Sequence, residues 1–141
     1  MMKLPAKIDY ACRAVLELSI HANDSIPLQL SALAKAQRIP REFLVQILSR
    51  LKDAGIVGSS RGMGGGYHLT RHPSSITLAD VFSAVDSHIL ERVKPHKRSL
   101  DSERLILGIW MNANQYLANE LKVSFDELVA QLRGFHVDYQ I

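Results

Sequence analysis

Thiols are almost missing from this chain. Cys12 is its single cysteine, which excludes an intrachain disulfide and fits a reducing compartment. Long apolar runs are missing too. The opening stretch MMKLPAKIDYACRAVLELSI is broken by Asp9, Arg13 and Glu17, so it lacks the continuous apolar core of a signal peptide, and no other run can span a bilayer. The expectation is a cytoplasmic protein with no membrane partner. Two glycine motifs are absent: Tyr67 stands where a dinucleotide fingerprint needs its third glycine, and no Gly-Lys-Ser/Thr phosphate loop occurs. An enzyme would have to use His68 or His72, yet no spacing brings a nucleophile, a carboxylate pair or a metal-ligand set to them. The reading is no enzyme. With 141 residues, 47% hydrophobic and 22% charged, the chain is still long enough for one packed domain, or a small domain plus an oligomerisation element.

Glycine is sparse except in one place. Four of the eight glycines fall within five positions of SSRGMGGGYHL, Ser59 to Leu69. Strand-compatible residues flank the cluster, Ile56 and Val57 before it and Tyr67 and Leu69 after it. A flexible linker would leave those apolar groups exposed on both sides, whereas a hairpin with a glycine-rich tip pairs them. The stretch therefore predicts a wing over 59–69 beside a helix-turn-helix.

Apolar positions Ile8, Ala11, Cys12, Val15, Leu18 and Ala22 recur at three- and four-residue spacing and predict a first helix over 8–22. A short second helix follows over 28–37, with Leu30, Leu33 and Ala34 on one face. Pro40 disfavours helical geometry at Ile39 while fitting the first turn of a new helix, so a third helix runs over 40–54 and ends at Gly55. At 100° per residue its Leu44, Ile47, Leu48 and Leu51 form a core side. Glu42, Gln46, Ser49 and Asp53 centre on the opposite side, flanked by Arg41, Val45 and Arg50. Residues 1–72 hold 10 Lys+Arg against 5 Asp+Glu, a net +5, and residues 73–141 hold 7 against 9, a net −2. Such a split fits an anionic partner for the first half, but a solvated surface with no partner gives the same count.

Thr77 and Asp80 have the spacing of a capping box, and Leu78, Val81, Phe82 and Val85 then predict a helix packed back on the first domain. Residues 87–99, with Pro95 and mixed charges, read as a connector. The long helix after it spreads Leu105, Ile106, Leu107, Ile109, Trp110, Met111, Leu117 and Leu121 over more than one face. An apolar arc that wide needs cover on two sides, and Leu105, Ile109, Trp110 and Leu117 are assigned to a second subunit. Ser124 and Glu127 cap a last short helix, FDELVAQL. The predicted fold is mainly α with a small β-hairpin wing: a winged helix-turn-helix domain over 1–86, the connector 87–99, and a helical dimerisation region over 100–141.

DYACRAVLELS, SALAKAQRIPREFLVQILSRLKDAGIV, SSRGMGGGYHLTR and SSITLADVFSAVD follow one another in order across most of residues 3–86. The ordered set resembles the winged helix-turn-helix regulators of the Rrf-two type, the family that includes the bacterial iron-sulfur cluster regulator. Beyond it, only the layout of connector and long helix is similar. The resemblance implies a homodimeric transcriptional repressor on a partly palindromic site in double-stranded DNA, with the third helix in the major groove and the wing in the minor groove. On that footing Arg41 and Gln46 meet base edges and Val45 meets a thymine methyl, with Ser49 on the same face. Glu42 either accepts from cytosine or is an acid favoured by the helix dipole. Arg50, like Lys35 and Arg38, is a phosphate clamp or a solvated charge. Arg61 enters the minor groove while Gly62 lets the backbone approach, and Tyr67 packs in the wing or stacks on a base. The competing reading is an interaction module that binds protein through the same surfaces, distinguished by weak salt dependence of any DNA affinity.

Many relatives hold an iron-sulfur cluster through three cysteines in the connector. Here the connector has none, so no cofactor is expected. Asp9 resembles a non-cysteine ligand of some relatives and, without the thiols, reads as a surface or cap residue. His88 and His96 read as solvated rather than as metal ligands, and Cys12 as inert core rather than as a redox switch. The operator, and any effector or protein partner sensed through Cys12, His88 or His96, is not written in the sequence.

Overall fold

The computed structural model describes residues 3–139. Helix α1, Ala6–Ile20, buries a stripe of Ile8, Ala11, Ala14, Val15 and Leu18, and the helices Leu30–Gln37, Arg41–Asp53, Leu78–Val85 and Phe125–Tyr139 pack around it. It ends at Ile20, short of Ala22, where His21 leaves helical geometry and its ring bonds back to Glu17 and forward to Asp24. Helix α2, Leu30–Gln37, and helix α3, Arg41–Asp53, form the helix-turn-helix.

The turn between them is a Schellman motif. Ile39 N donates to Ala34 O at 3.0 Å and Arg38 N to Lys35 O at 3.4 Å, while Ile39 and Ala34 are both buried, the apolar contact that accompanies the motif. Arg38 takes the left-handed position, φ 52°, where glycine is usual. Pro40 is the N-cap of α3 rather than its first residue, a shift of one position from the predicted start.

Strands β1, Val57–Ser60, and β2, Gly66–Leu69, pair antiparallel with Val57 opposite Leu69 and Ser60 opposite Gly66. Leu28 does not belong to α2. Leu28 N donates to Tyr67 O at 2.9 Å and Tyr67 N to Leu28 O at 2.8 Å, so the segment before α2 pairs with the outer edge of the wing. A Cβ on Gly66 would lie 2.4 Å from Leu28 O, and this close approach is why a glycine stands there.

A single 3-10 turn, Pro73–Ser75, leads to α4, Leu78–Val85. The Thr77–Asp80 capping box is formed as the sequence indicates, with Thr77 N donating to Asp80 Oδ2 at 2.9 Å and Asp80 N to Thr77 Oγ1 at 3.2 Å. After the connector come α5, Asp101–Glu120, and α6, Phe125–Tyr139.

The last two helices part company. No residue of α5 is buried, whereas Phe125 of α6 is 0% exposed and belongs to the same core as α1, α3 and α4. Backbone bonds fix the corner: Phe125 N to Ile76 O at 2.9 Å, Leu78 N to Val123 O at 3.1 Å, Ala79 N to Leu121 O at 2.9 Å. The predicted helical region over 100–141 is thus divided, with α6 returning to the domain read from residues 1–86. It also runs past the predicted FDELVAQL. Among the described residues, no helix is long and apolar enough to cross a membrane.

Candidate nucleic-acid interface

The position of α3 is set from α1. The Arg13 guanidinium donates to Gln37 O, the last carbonyl of α2, lies over the Tyr10 ring at 5.1 Å and pairs with Asp9 at 3.3 Å. Gln37 Nε2 donates to Glu17 Oε2 at 2.8 Å. Two points on α1 therefore hold the end of α2, and the tight turn passes that constraint on to α3.

Leu44, Ile47, Leu48 and Leu51 face the core, and the opposite side of α3 is open. Arg41, Glu42, Val45, Gln46 and Ser49 are all exposed, and among the described residues no side-chain hydrogen bond or ion pair occupies the four polar ones. Groups of this kind, left without partners on the outer face of a second helix-turn-helix helix, have the chemistry of base-edge contact. Glu42 lies in the first turn of α3, where the helix dipole favours an acid in any case. Arg50 sits differently, since its Nη1 donates to Val85 O, the last carbonyl of α4, at 2.6 Å. This clip joins α3 to α4 and occupies one edge of the guanidinium.

The wing stands beside this face, with Lys52 Nζ of α3 donating to Ser59 Oγ of β1 at 2.8 Å. Arg61 is exposed at its tip and forms no hydrogen bond or ion pair among the described residues. Gly62 has φ +92°, a conformation that L side chains rarely adopt. Tyr67 is half-buried in β2 and packs against the hydrophobic core, and its backbone is committed to Leu28. Lys35 and Arg38 are exposed.

Sequence reasoning passed over three elements of this surface. Leu28 as the wing's anchor and the Lys52–Ser59 link have no periodic signal. Met63 had a local one, an apolar residue between glycines.

On α5, Leu105, Ile109, Trp110 and Leu117 are exposed, with Trp110 at 57% and Ile109 at 62%. Such an unburied apolar surface on one helix is far from solvent-adapted.

An iron-sulfur cluster requires cysteine thiolates as its principal ligands. Burial pushes the Cys12 thiol up to about 12, and the neighbouring Asp9 charge pushes the same way, opposite to what a thiolate ligand needs. In the connector the exposed His88 pairs with Glu91 at 2.6 Å, a hydrogen bond that raises its pKa, and His96 Nδ1 accepts from Arg98 N at 3.2 Å. Among the described residues no three His, Cys, Asp or Glu side chains converge as a metal site. The residues present do not fit a cysteine-ligated cluster.

The profile of the family described as Rrf2, iron-dependent transcriptional regulator, matches residues 4–131. The HTH-type transcriptional regulator IscR of Aliivibrio salmonicida is 41% identical over 88 residues, 62% of this chain and 52% of that protein. The regulator of the same name from Xenorhabdus nematophila is 33% identical over 131 residues, 91% of this chain and 79% of that one. This chain thus spans about half of the first relative's length and about four fifths of the second's. Among solved structures, CymR, the global cysteine regulator of B. subtilis, superposes with TM-score 0.76 at 25% identity, covering 93% of this chain and 98% of that one. T. potens IscR superposes with TM-score 0.77 at 23% identity, covering 93% and 88%, a likeness of fold.

Proposed function

From the premise that this chain belongs to the Rrf2 family of DNA-binding transcriptional regulators, we propose that it is a homodimeric repressor of a partly palindromic duplex site. In this reading α3 lies in the major groove and the wing tip in the minor groove. The observation that carries it is the division of α3 into a wholly buried leucine-isoleucine face and an exposed face of Arg41, Glu42, Val45, Gln46 and Ser49, held on one body with the exposed Arg61. Arg41 and Gln46 supply donors for base edges, Val45 supplies an apolar contact for a thymine methyl, and Ser49 continues the same row. Arg50, with one edge on Val85 O, has its remaining guanidinium N–H groups for phosphate.

The dimer follows from α5. A 20-residue helix with none of its residues buried is short of cover, and a second α5 provides it across a two-fold axis. Two reading bodies joined in this way meet half-sites about 34 Å apart.

The repressor works without catalysis and without a cluster. Of the two histidines an enzyme reading requires, His72 caps the 3-10 turn by accepting from Ser74 N at 3.1 Å, and His68 lies exposed on β2. Purified without oxygen, the protein is expected to carry neither stoichiometric iron nor sulfide, and Cys12→Ala to bind DNA like the wild type; a bound cluster found by metal and sulfide analysis overturns this part.

The central experiment recovers duplexes from a random pool and measures affinity against salt. A steep fall of log affinity with log salt, and a recovered site with two related halves, are expected. Salt-insensitive binding with no recovered site contradicts the reading and favours assembly with protein.

A further inference from the structure

At the end of the wing the structure holds an apolar side chain fully in water. Met63 has a relative exposure of 106%, as much as in an extended peptide. The backbone under it forms a hydrogen-bonded turn. Gly65 N donates to Gly62 O at 3.0 Å, closing a four-residue turn, and φ +79° at Gly64 is the value of the third position of a type II turn. Met63 occupies the second position, so its backbone is set by the turn. A Cβ added to Gly62 or Gly64 would meet nothing within 4 Å; the flanks of Met63 are open, and the tip is a thin blade carrying one side chain. Its base is fixed by the β1–β2 register, by Leu28 on Tyr67 and by Lys52 on Ser59. Arg61, an exposed cation, stands two residues away.

A backbone-thin tip with an unbranched apolar side chain beside a cation has the shape and chemistry of a minor-groove wedge. Apolar side chains, methionine among them, enter between base steps from that groove while a neighbouring cation sits in its negative potential. The three rotatable bonds and soft thioether of Met let it follow the geometry of an opened step. Resting on the wing-in-minor-groove reading above, we propose that Met63 is a specificity-determining wedge. It parts a pyrimidine–purine step, the kind that unstacks most easily, and so selects operators by deformability at a position no hydrogen bond reads.

The test uses the full chain and an operator recovered from the random pool, with the step beneath the wing made TpA or ApA and 2-aminopurine placed at it. Wild type, Met63→Ala, Met63→Leu and Arg61→Ala are compared, with thermal melts confirming that each is folded. Wild type is expected to prefer TpA by about tenfold, equivalent to about 1.4 kcal/mol, and to raise 2-aminopurine fluorescence there. Met63→Ala should lose both the preference and the signal while Met63→Leu keeps most of each. If Met63→Ala keeps the preference and the fluorescence, the wedge is wrong. Should Arg61→Ala weaken binding while Met63→Ala changes nothing, the wing stands in the groove but Met63 does not part the step. If neither variant changes binding, the wing is not in the groove and the proposal falls with that reading.

Discussion

Helices α5 and α6 follow one another across a four-residue corner, and in each about half of the residues are apolar. Their fates are opposite. α5 leaves Leu105, Ile106, Ile109 and Trp110 exposed, and α6 sends Phe125 and Val129 into the core around α1. An apolar stripe states that a helix needs cover; it does not state whose. The cover of α6 is intramolecular and adds to the chain's own stability. In the dimer proposed above, that of α5 would come from a second chain, so its apolar surface would add to association and leave the fold of the single chain nearly untouched.

The sharpest way to break this contrast is to charge α5. Ile109→Glu combined with Trp110→Glu should give a folded monomer by sedimentation and lower operator affinity by roughly a hundredfold or more, because the second half-site no longer arrives tethered to the first. A double variant that stays dimeric at micromolar concentration would remove α5 from the interface.

The counterpart in α6 should act on folding. Phe125→Ala is expected to lower the unfolding free energy by about 3–5 kcal/mol, read from urea denaturation, with Phe125→Leu losing much less. A small loss, comparable to that of an exposed position on α5, would mean that α6 is not part of the core.

A third variant probes the seat shared by α4 and α6. Thr77 caps α4 and forms a bridge with Ser124, so Thr77→Ala should cost about 1 kcal/mol and Thr77→Ser should restore most of it. The same denaturation series checks this, and full stability in Thr77→Ala would show the cap to be dispensable.

The smallest effect concerns His21, at the point where α1 meets the segment that anchors the wing. Its hydrogen bond to Asp24 raises the pKa above the ordinary 6.5, burial opposes the rise, and Glu17 adds to it. With the folded-state pKa raised, the contribution is complete below pH 6.5 and is lost as pH climbs through the raised value. These are partly exposed pairs, so a few tenths of a kcal/mol is the scale. Wild type should lose stability relative to His21→Gln between pH 6 and pH 8.5, and a relative gain over that window would reverse the assignment.

Local and periodic features were legible in the sequence. The capping box at Thr77 and Asp80, the two faces of α3 and the hairpin between Val57 and Leu69 are each written within one or two turns of chain. Family membership and the winged-helix architecture could be read from the ordered motifs. Pairings between distant segments were not legible. Nothing in the stretch IPLQL, residues 26–30, marks Leu28 for Tyr67, because a two-bond bridge has no period, and the clip from Arg50 to Val85 O depends on where α4 comes to rest. The glycines of the wing illustrate the same limit: the cluster announces a tight tip, but only the structure separates Gly66, which makes room for Leu28, from Gly62 and Gly64, which shape the turn.

The corner at residues 121–125 works as a mechanical joint. Its three backbone bonds tie the end of α5 to the start of α4 and to Ile76, and α4 is clipped to α3 by Arg50. At 20 residues, α5 is a rod about 30 Å long. A rotation of about 5° at one end of such a rod displaces the other by roughly 2.6 Å, a large fraction of the 3.4 Å that separates successive base pairs along duplex DNA. In the proposed dimer the gearing between the joint and the DNA would therefore be high, and a substitution that tilts this corner slightly would take a reading helix out of register with its half-site while touching neither α3 nor the wing.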